Sequence, residues 1–333
     1  MGAAEDPWVE PDTARLLARM AVDFADAPGD PTVEQRRQGL DIAAQMYGPP
    51  LAEVGAISWQ KAWGPDGPVS LRVYTPLGPR RRRRPIVVHV HGGGWVLGGP
   101  EGYERVARAY CAAGDCILVD VEYRRAPEHR HPAALQDCVT AIDWTVRNAG
   151  RLGGDSERLV VTGDSAGGHL AAAACQSSRH RPALQILVYP VMTASAQATL
   201  PSRSALGDGR FFLREFDILR AEAEYFTPEH AHEREQGPAS PLLATRKVLR
   251  RQPPTLAITA ALDPLVDEGA AYVEALRRAG VDAEEIRIPG TIHAFVLFAG
   301  ELGVGRDAIA EIGRRIRAVK PRRRSLLSRM LGH

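Results

Sequence analysis

The serine of Gly163-Asp164-Ser165-Ala166-Gly167 lies between an apolar run, Leu159-Val160-Val161-Thr162, and a helix-forming one, His169-Leu170-Ala171-Ala172-Ala173-Ala174-Cys175. A serine flanked by glycines is easily met by chance in a chain with 32 glycines. Its placement between a strand and a helix is what gives it chemistry. A sharp strand-to-helix turn strains the serine backbone, demands small neighbours and lifts the hydroxyl clear of the sheet. The helix N-terminus beneath it favours negative charge. Ser165 is therefore the candidate nucleophile. A second stretch, His91-Gly92-Gly93-Gly94-Trp95, directly follows the run Ile86-Val87-Val88-His89-Val90. Three glycines there leave backbone N–H groups free to meet a developing oxyanion. A phosphate-binding loop would need a following Gly-Lys-Ser/Thr or G-x-G-x-x-G pattern, and neither is present. Gly93 and Gly94, with the N–H of Ala166, are the expected donors.

A serine nucleophile needs a base and an acid, in the chain order Ser, Asp/Glu, His for a strand-turn-helix serine. Asp263 opens the loop after the run Thr255-Leu256-Ala257-Ile258-Thr259-Ala260, and His293 lies in the loop after the last strand-like run, which ends at Ile288. Both loops leave the carboxyl ends of their strands, so both reach the edge that carries Ser165. His293 is expected to take the Ser165 proton, and Asp263 to hold the imidazole tautomer. Asp267 and Glu268 are rival acids, but they fall inside the next helix. His129 and His131 lie in a loop, His230 and His232 in a long insertion, and His169 one helical turn past Ser165, packed against the sheet.

The elements that must position these residues are legible from periodicity. Residues 12–47 read as two amphipathic helices broken by the turn cluster Ala27-Pro28-Gly29-Asp30-Pro31. Segments 57–63 and 69–74 flank Gly64-Pro65-Asp66-Gly67-Pro68 as an antiparallel hairpin. Further strands are expected at 86–90, 116–121, 159–162, 184–189, 255–260 and 284–288, with helices near 103–113, 133–149, 166–178, 267–279 and 305–319. Apolar runs without alternation are what parallel strands covered on both faces require. The pattern predicts an α/β fold: one mostly parallel, eight-stranded sheet with helices on both faces. Residues 191–240 interrupt the rhythm and bear Phe211, Phe212, Phe216, Tyr225 and Phe226. An insertion there lies over the carboxyl edge of the sheet, where open α/β folds bind ligands. With the N-terminal helices it forms a helical cap in this reading. Trp95, Phe211, Phe212 and Leu213 are the expected pocket-lining residues.

Composition narrows the classes further. A hydrophobic share of 44% and a charged share of 25% are those of a packed globular protein. A formal net charge of +2 speaks against a nucleic-acid partner for the body of the chain. The positive charge is clumped, in the arginines at 80–84 and in Lys320, Arg322, Arg323, Arg324 and Arg329. The plain expectation for both is a solvated loop and a disordered tail over 320–333. Cys111, Cys116, Cys138 and Cys175 form no C-x-x-C pair, so reduced buried thiols are expected. Residues 1–12 lack a basic segment followed by an apolar one, and no apolar run is long enough to span a bilayer. A cytoplasmic protein without stable membrane insertion is expected, and nothing in the sequence argues against a homo-oligomer. No His/Cys/carboxylate cluster has metal-ligand spacing.

Taken together, HGGGW at 91–95, YRRAPEHRHPAALQD at 123–137, GDSAGG at 163–168, DPLVDEG at 263–269 and HAF at 293–295 resemble the bacterial hormone-sensitive-lipase-like esterases. The resemblance runs from about residue 55 to 319. It implies an α/β-hydrolase fold and a triad of Ser165, Asp263 and His293. It also implies a cap built from residues 1–54 and 191–240 on a core of 55–319. Members hydrolyse short- to medium-chain acyl esters without a cofactor, so the implied partner is a small-molecule acyl ester. Deacetylases, amidases and acyltransferases use the same triad and stay open as alternatives. A non-catalytic receptor on this fold, as in plant gibberellin receptors, lacks the triad histidine, whereas His293 is present here.

Overall fold

The computed structural model describes residues 7–79, 83–198 and 200–322. Two helices come first, α1 (Pro11–Asp23) and α2 (Val33–Tyr47). Thr32 caps α2 by accepting from the Gln35 N–H while the Gln35 side chain accepts from the Thr32 N–H, which fixes where the helix begins. The hairpin follows as β1 (Ala56–Gly64) and β2 (Gly67–Thr75), turning on Pro65 and Asp66. Then come β3 (Arg84–Val90), α3 (Pro100–Gly114), β4 (Ile117–Glu122), α4 (Ala133–Leu152), β5 (Gly154–Asp164), α5 (Ala166–Ser177) and β6 (Leu184–Val188). Between β6 and β7 (Thr255–Ala260) lies the insertion, with α6 (Pro201–Leu206), α7 (Glu215–Tyr225), two 3₁₀ turns and α8 (Arg246–Leu249). The chain closes with α9 (Val266–Arg278), β8 (Ala283–Ile288) and α10 (Gly303–Ala318).

The eight strands form one sheet in the order β1-β2-β4-β3-β5-β6-β7-β8. From β4 to β8 every pairing is parallel, whereas β2 is antiparallel to both β1 and β4. Successive strand residues face opposite sides, and the core divides accordingly. Ile86, Val88, Leu159, Val161, Leu187 and Ala257 pack under α4, α5 and α9. Val87, Val160, Ile186, Val188, Leu256 and Ile258 pack under α3 and α10, and with α1 and α2. Neither set of strands alternates with polar residues because both faces are covered, the condition that parallel strands demand.

The expected helices and strands are present with end shifts of a few residues, largest at β5, which begins five residues before the expected 159. What periodicity did not give is the place of β3. The chain leaves β3 through α3 to reach β4 on one side, then returns through α4 to β5 on the other. The direction of strand progression reverses between β4 and β5, and a crevice opens above the carboxyl ends of β3 and β5. The expected disordered tail lies almost wholly outside the described residues, as do three of the arginines at 80–84.

Candidate active site

At the end of β5 the backbone breaks sharply. Ser165 has φ 54° and ψ −123°, a region costing a non-glycine residue roughly 1–3 kcal/mol. The chain holds that strain because β5 and α5 are packed to the point of contact around it. A Cβ on Gly163 would run into the Gly167 carbonyl, and one on Gly167 into the carbonyls of Val90 and His91. The glycines on both sides of the serine are therefore a steric requirement. The Ser165 N–H donates to Val188 O at 2.9 Å and its carbonyl accepts from Val191 N at 3.2 Å, tying the turn to the end of β6.

The loops after β7 and β8 bring the other two groups to it. His293 Nε2 lies 2.9 Å from Ser165 Oγ, and His293 Nδ1 lies 2.7 Å from Asp263 Oδ2. Asp263 Oδ1 accepts from the Leu265 N–H at 2.9 Å, so both carboxylate oxygens are engaged. Asp263 is fully buried and His293 nearly so. Tyr189, at the tip of β6, puts its ring 4.6 Å from the imidazole. Sequence reasoning passed over Tyr189, although a residue that ends a strand before a proline and faces the same edge was a readable signal.

Beside the serine, the turn after β3 presents its backbone. Gly93 has φ 112° and Gly94 φ 60°, conformations open to glycine, and their N–H groups donate to nothing among the described residues. Ala166 opens α5, so its N–H is one of the orphan donors of a helix start. The loop is strapped from below. Asp164 Oδ1 accepts from Gly92 N at 3.1 Å, and its Oδ2 from the Tyr103 hydroxyl at 2.9 Å. Burial pushes the Asp164 carboxyl up to about 6, against the pull of His89, Tyr103 and the Gly92 N–H. His91 donates from Nδ1 to Gly92 O at 2.8 Å and stacks on Tyr123, whose hydroxyl bonds the His91 carbonyl at 3.0 Å. Burial lowers His91 to about 4, so it is neutral at ordinary pH.

These groups open on one cavity of about 250 Å³. Its walls are mostly apolar and come from the sheet edge, α2 and α7: Leu40, Val191, Phe212, Leu213, Ile218 and Leu297 among them. Trp95, Phe212 and Leu213 therefore stand where the sequence placed them, but one other expected wall residue does not. Phe211 packs into the core under the guanidinium of Arg210 and is absent from the cavity wall. Phe212 has φ 77°, and that reversal sends adjacent phenylalanines into different surroundings. Trp95 borders the cavity, yet its indole is 1% exposed and committed elsewhere. It stacks on Tyr225 at 4.9 Å, and its N–H donates to His169 Nδ1 at 3.2 Å. His169 donates in turn from Nε2 to Ala239 O at 2.9 Å. His169 thus bridges the glycine loop to the insertion instead of resting on the sheet, and burial lowers it to about 4.

The rival acids have other partners. Asp267 accepts from Ser202 N at 3.0 Å. Glu268 is fully buried, where it accepts from Met192 N at 2.7 Å, Thr193 N at 3.0 Å and Arg203 Nε at 2.8 Å. Arg203 also donates to Glu222 at 3.0 Å, and Glu222 accepts from Arg234 at 2.6 Å. This buried network binds α9 to α6 and α7. Arg37 of α2 joins the N-terminal helices to the same region by donating to Val96 O and Ala126 O. Among the described residues no cluster of His, Cys, Asp or Glu is arranged to hold a metal, and no helix is long and apolar enough to cross a membrane.

A family described as having the alpha/beta hydrolase fold matches residues 87–297. The carboxylesterase NlhH of Mycobacterium tuberculosis is 36% identical over 94% of this chain and 96% of its own length. The esterase LipI of the same organism is 31% identical over 92% and 93%. Among solved structures, the esterase of Pyrobaculum calidifontis aligns with a TM-score of 0.83 at 32% identity, over 94% of this chain and 100% of that one. A thermostable esterase from Pseudomonas putida aligns at 0.87 and 27% identity, over 96% and 100%.

Proposed function

We propose, for a chain that belongs to the hormone-sensitive-lipase-like carboxylesterases of the α/β-hydrolase fold, that Ser165 is the nucleophile of a Ser165–His293–Asp263 triad. Ser165 Oγ attacks the ester carbonyl as His293 Nε2 takes its proton. Asp263 holds Nδ1–H and stabilises the imidazolium that forms. The N–H groups of Gly93, Gly94 and Ala166 meet the oxyanion, where each such donor is worth roughly 10²–10³ in rate. His293 returns the proton to the leaving alcohol. Water then enters by the same route and releases the acid from the acyl-enzyme. The observation that carries this reading is the unbroken hydrogen-bonded chain from Asp263 through His293 to Ser165, opening on the same cavity as the free N–H groups.

Residues 1–54 and 191–240 act together as a cap over a core of 55–319. The cavity they close favours short- to medium-chain acyl esters, and no cofactor enters the mechanism. A cytoplasmic setting accords with four buried free thiols. The test of the triad is Ser165→Ala, which should lower turnover of a p-nitrophenyl ester by about 10⁴-fold or more while thermal unfolding stays cooperative. A folded variant that keeps a tenth of the turnover would remove Ser165 from the role.

A further inference from the structure

The described residues of the two basic stretches, Arg83 and Arg84 of one and Lys320 and Arg322 of the other, have no part in the proposed ester hydrolysis, yet the fold brings them to one place. Arg158, in β5, donates to the carbonyls of Arg83 at 3.0 Å, Arg317 at 2.9 Å and Val319 at 2.9 Å. The Arg322 N–H donates to Glu157 O at 2.9 Å, and its guanidinium reaches the Arg181 carbonyl. Arg83, Arg181, Arg317, Lys320 and Arg322 are all exposed there. This is the amino-terminal edge of β3, β5 and β6, opposite the carboxyl edge that carries Ser165. Asp155 pairs with Arg83 and Asp115 with Arg84, but the carboxylates are outnumbered. Five exposed cations on one edge make a local positive patch on a chain whose net charge is only +2.

We propose that this edge docks the enzyme on an anionic phospholipid surface, with the cavity of Ser165 facing away from the bilayer. Lipid is favoured over nucleic acid by what the sequence places after Arg322. Arg323, Arg324 and Arg329 are interleaved with Leu326, Leu327, Met330 and Leu331. Apolar side chains gain nothing from a phosphate backbone, whereas cations mixed with apolar groups suit the boundary between headgroups and acyl chains.

The full chain should sediment with vesicles of phosphatidylcholine and phosphatidylglycerol at about 3:1 in ~0.1 M salt, and not with phosphatidylcholine alone. Raising salt to ~0.5 M should release it, because the attraction is screened. The triple variant Arg317→Glu, Lys320→Glu, Arg322→Glu should bind about 100-fold more weakly or worse, given the roughly additive contribution of each cation near such a surface. The double variant Arg317→Gln, Lys320→Gln should fall between. All three proteins should hydrolyse a soluble ester equally, with or without vesicles, which shows that the variants fold. The proposal is overturned if the wild type stays in the supernatant, if the folded triple variant binds as well as wild type, or if a DNA duplex of matched charge binds more tightly than the vesicles.

Discussion

Replacing Asp263 by asparagine tests the triad at the point where the structure is most demanding. The carboxylate accepts from two donors, the Leu265 N–H at 2.9 Å and His293 Nδ1 at 2.7 Å. An amide has one oxygen and one NH₂, so it satisfies only one of them. If the oxygen faces His293, the NH₂ meets the Leu265 N–H and a buried donor is left unpaired, at about 1–3 kcal/mol. If the NH₂ faces Nδ1, the histidine proton moves to Nε2, which points at Ser165 Oγ and can no longer accept from it. The second arrangement is favoured by about 2 kcal/mol, which leaves roughly one molecule in thirty with a competent base. The competent fraction also lacks the negative charge opposite the imidazolium. Together these losses should lower kcat by roughly 10³–10⁴-fold with KM nearly unchanged. Glu268→Gln is the paired control. It leaves Arg203 with Glu222 as its one carboxylate partner beside the Thr193 carbonyl, so stability should fall by about 2–4 kcal/mol, while kcat per folded enzyme stays within a few-fold. Initial rates on p-nitrophenyl butyrate, with urea unfolding of each variant, separate the two effects. The reasoning is refuted if folded Asp263→Asn keeps more than a tenth of wild-type kcat, or if folded Glu268→Gln loses a thousand-fold.

The remaining expectations concern the cavity and pH. The cavity of about 250 Å³ is bounded by Phe212, Leu213 and Ile218, so kcat/KM should peak within about two to eight acyl carbons and fall steeply for palmitoyl esters. Phe212→Ala should move that peak about two carbons longer, whereas Phe211→Ala should leave it in place and cost about 3 kcal/mol of stability. An unchanged profile in the first variant, or a shifted one in the second, would reverse their assignments. His91 and His169, both lowered to about 4 by burial, bind fewer protons folded than unfolded. Their contribution to stability is full above pH 6.5 and lost as pH falls toward 4. Asp164, raised to about 6, works in the opposite sense over an overlapping window. Together these three groups should cost about 3 kcal/mol between pH 7 and 4.5, and NMR titration of the two imidazoles checks their part: folded-state midpoints near 6.5 would contradict the shifts.

The local devices of this protein are written in its sequence because each depends on near neighbours. The elbow around Ser165 is a matter of backbone sterics over five residues, and only glycine on either side satisfies it. The glycine loop after β3 and the unbroken apolar runs of doubly covered strands are equally local, and Asp263 and His293 are each marked by a position just past a strand. Choosing Asp263 over Glu268 was also possible from position alone, since one follows a strand and the other lies in a helix. Contacts between distant segments could not be read this way. The reversal of strand order at β3 comes from which faces α3 and α4 cover. Nothing within Phe211-Phe212 distinguishes the buried ring from the cavity ring; the positive φ at Phe212 does, and the packing of the insertion imposes it. Trp95 reads as a pocket wall beside the glycine loop and does border the cavity, but its stacking on Tyr225, from α7, and its N–H bond to His169 could not be read. Leu40 reaches the cavity because α2 docks through Arg37, a contact between residues 59 and 89 positions apart. Arg83 and Arg317, more than two hundred residues apart in sequence, meet because Arg158 donates to the backbone carbonyls of both. Sequence spacing carries such local requirements, while the pairing of remote surfaces is decided by burial and hydrogen-bond satisfaction over the whole fold.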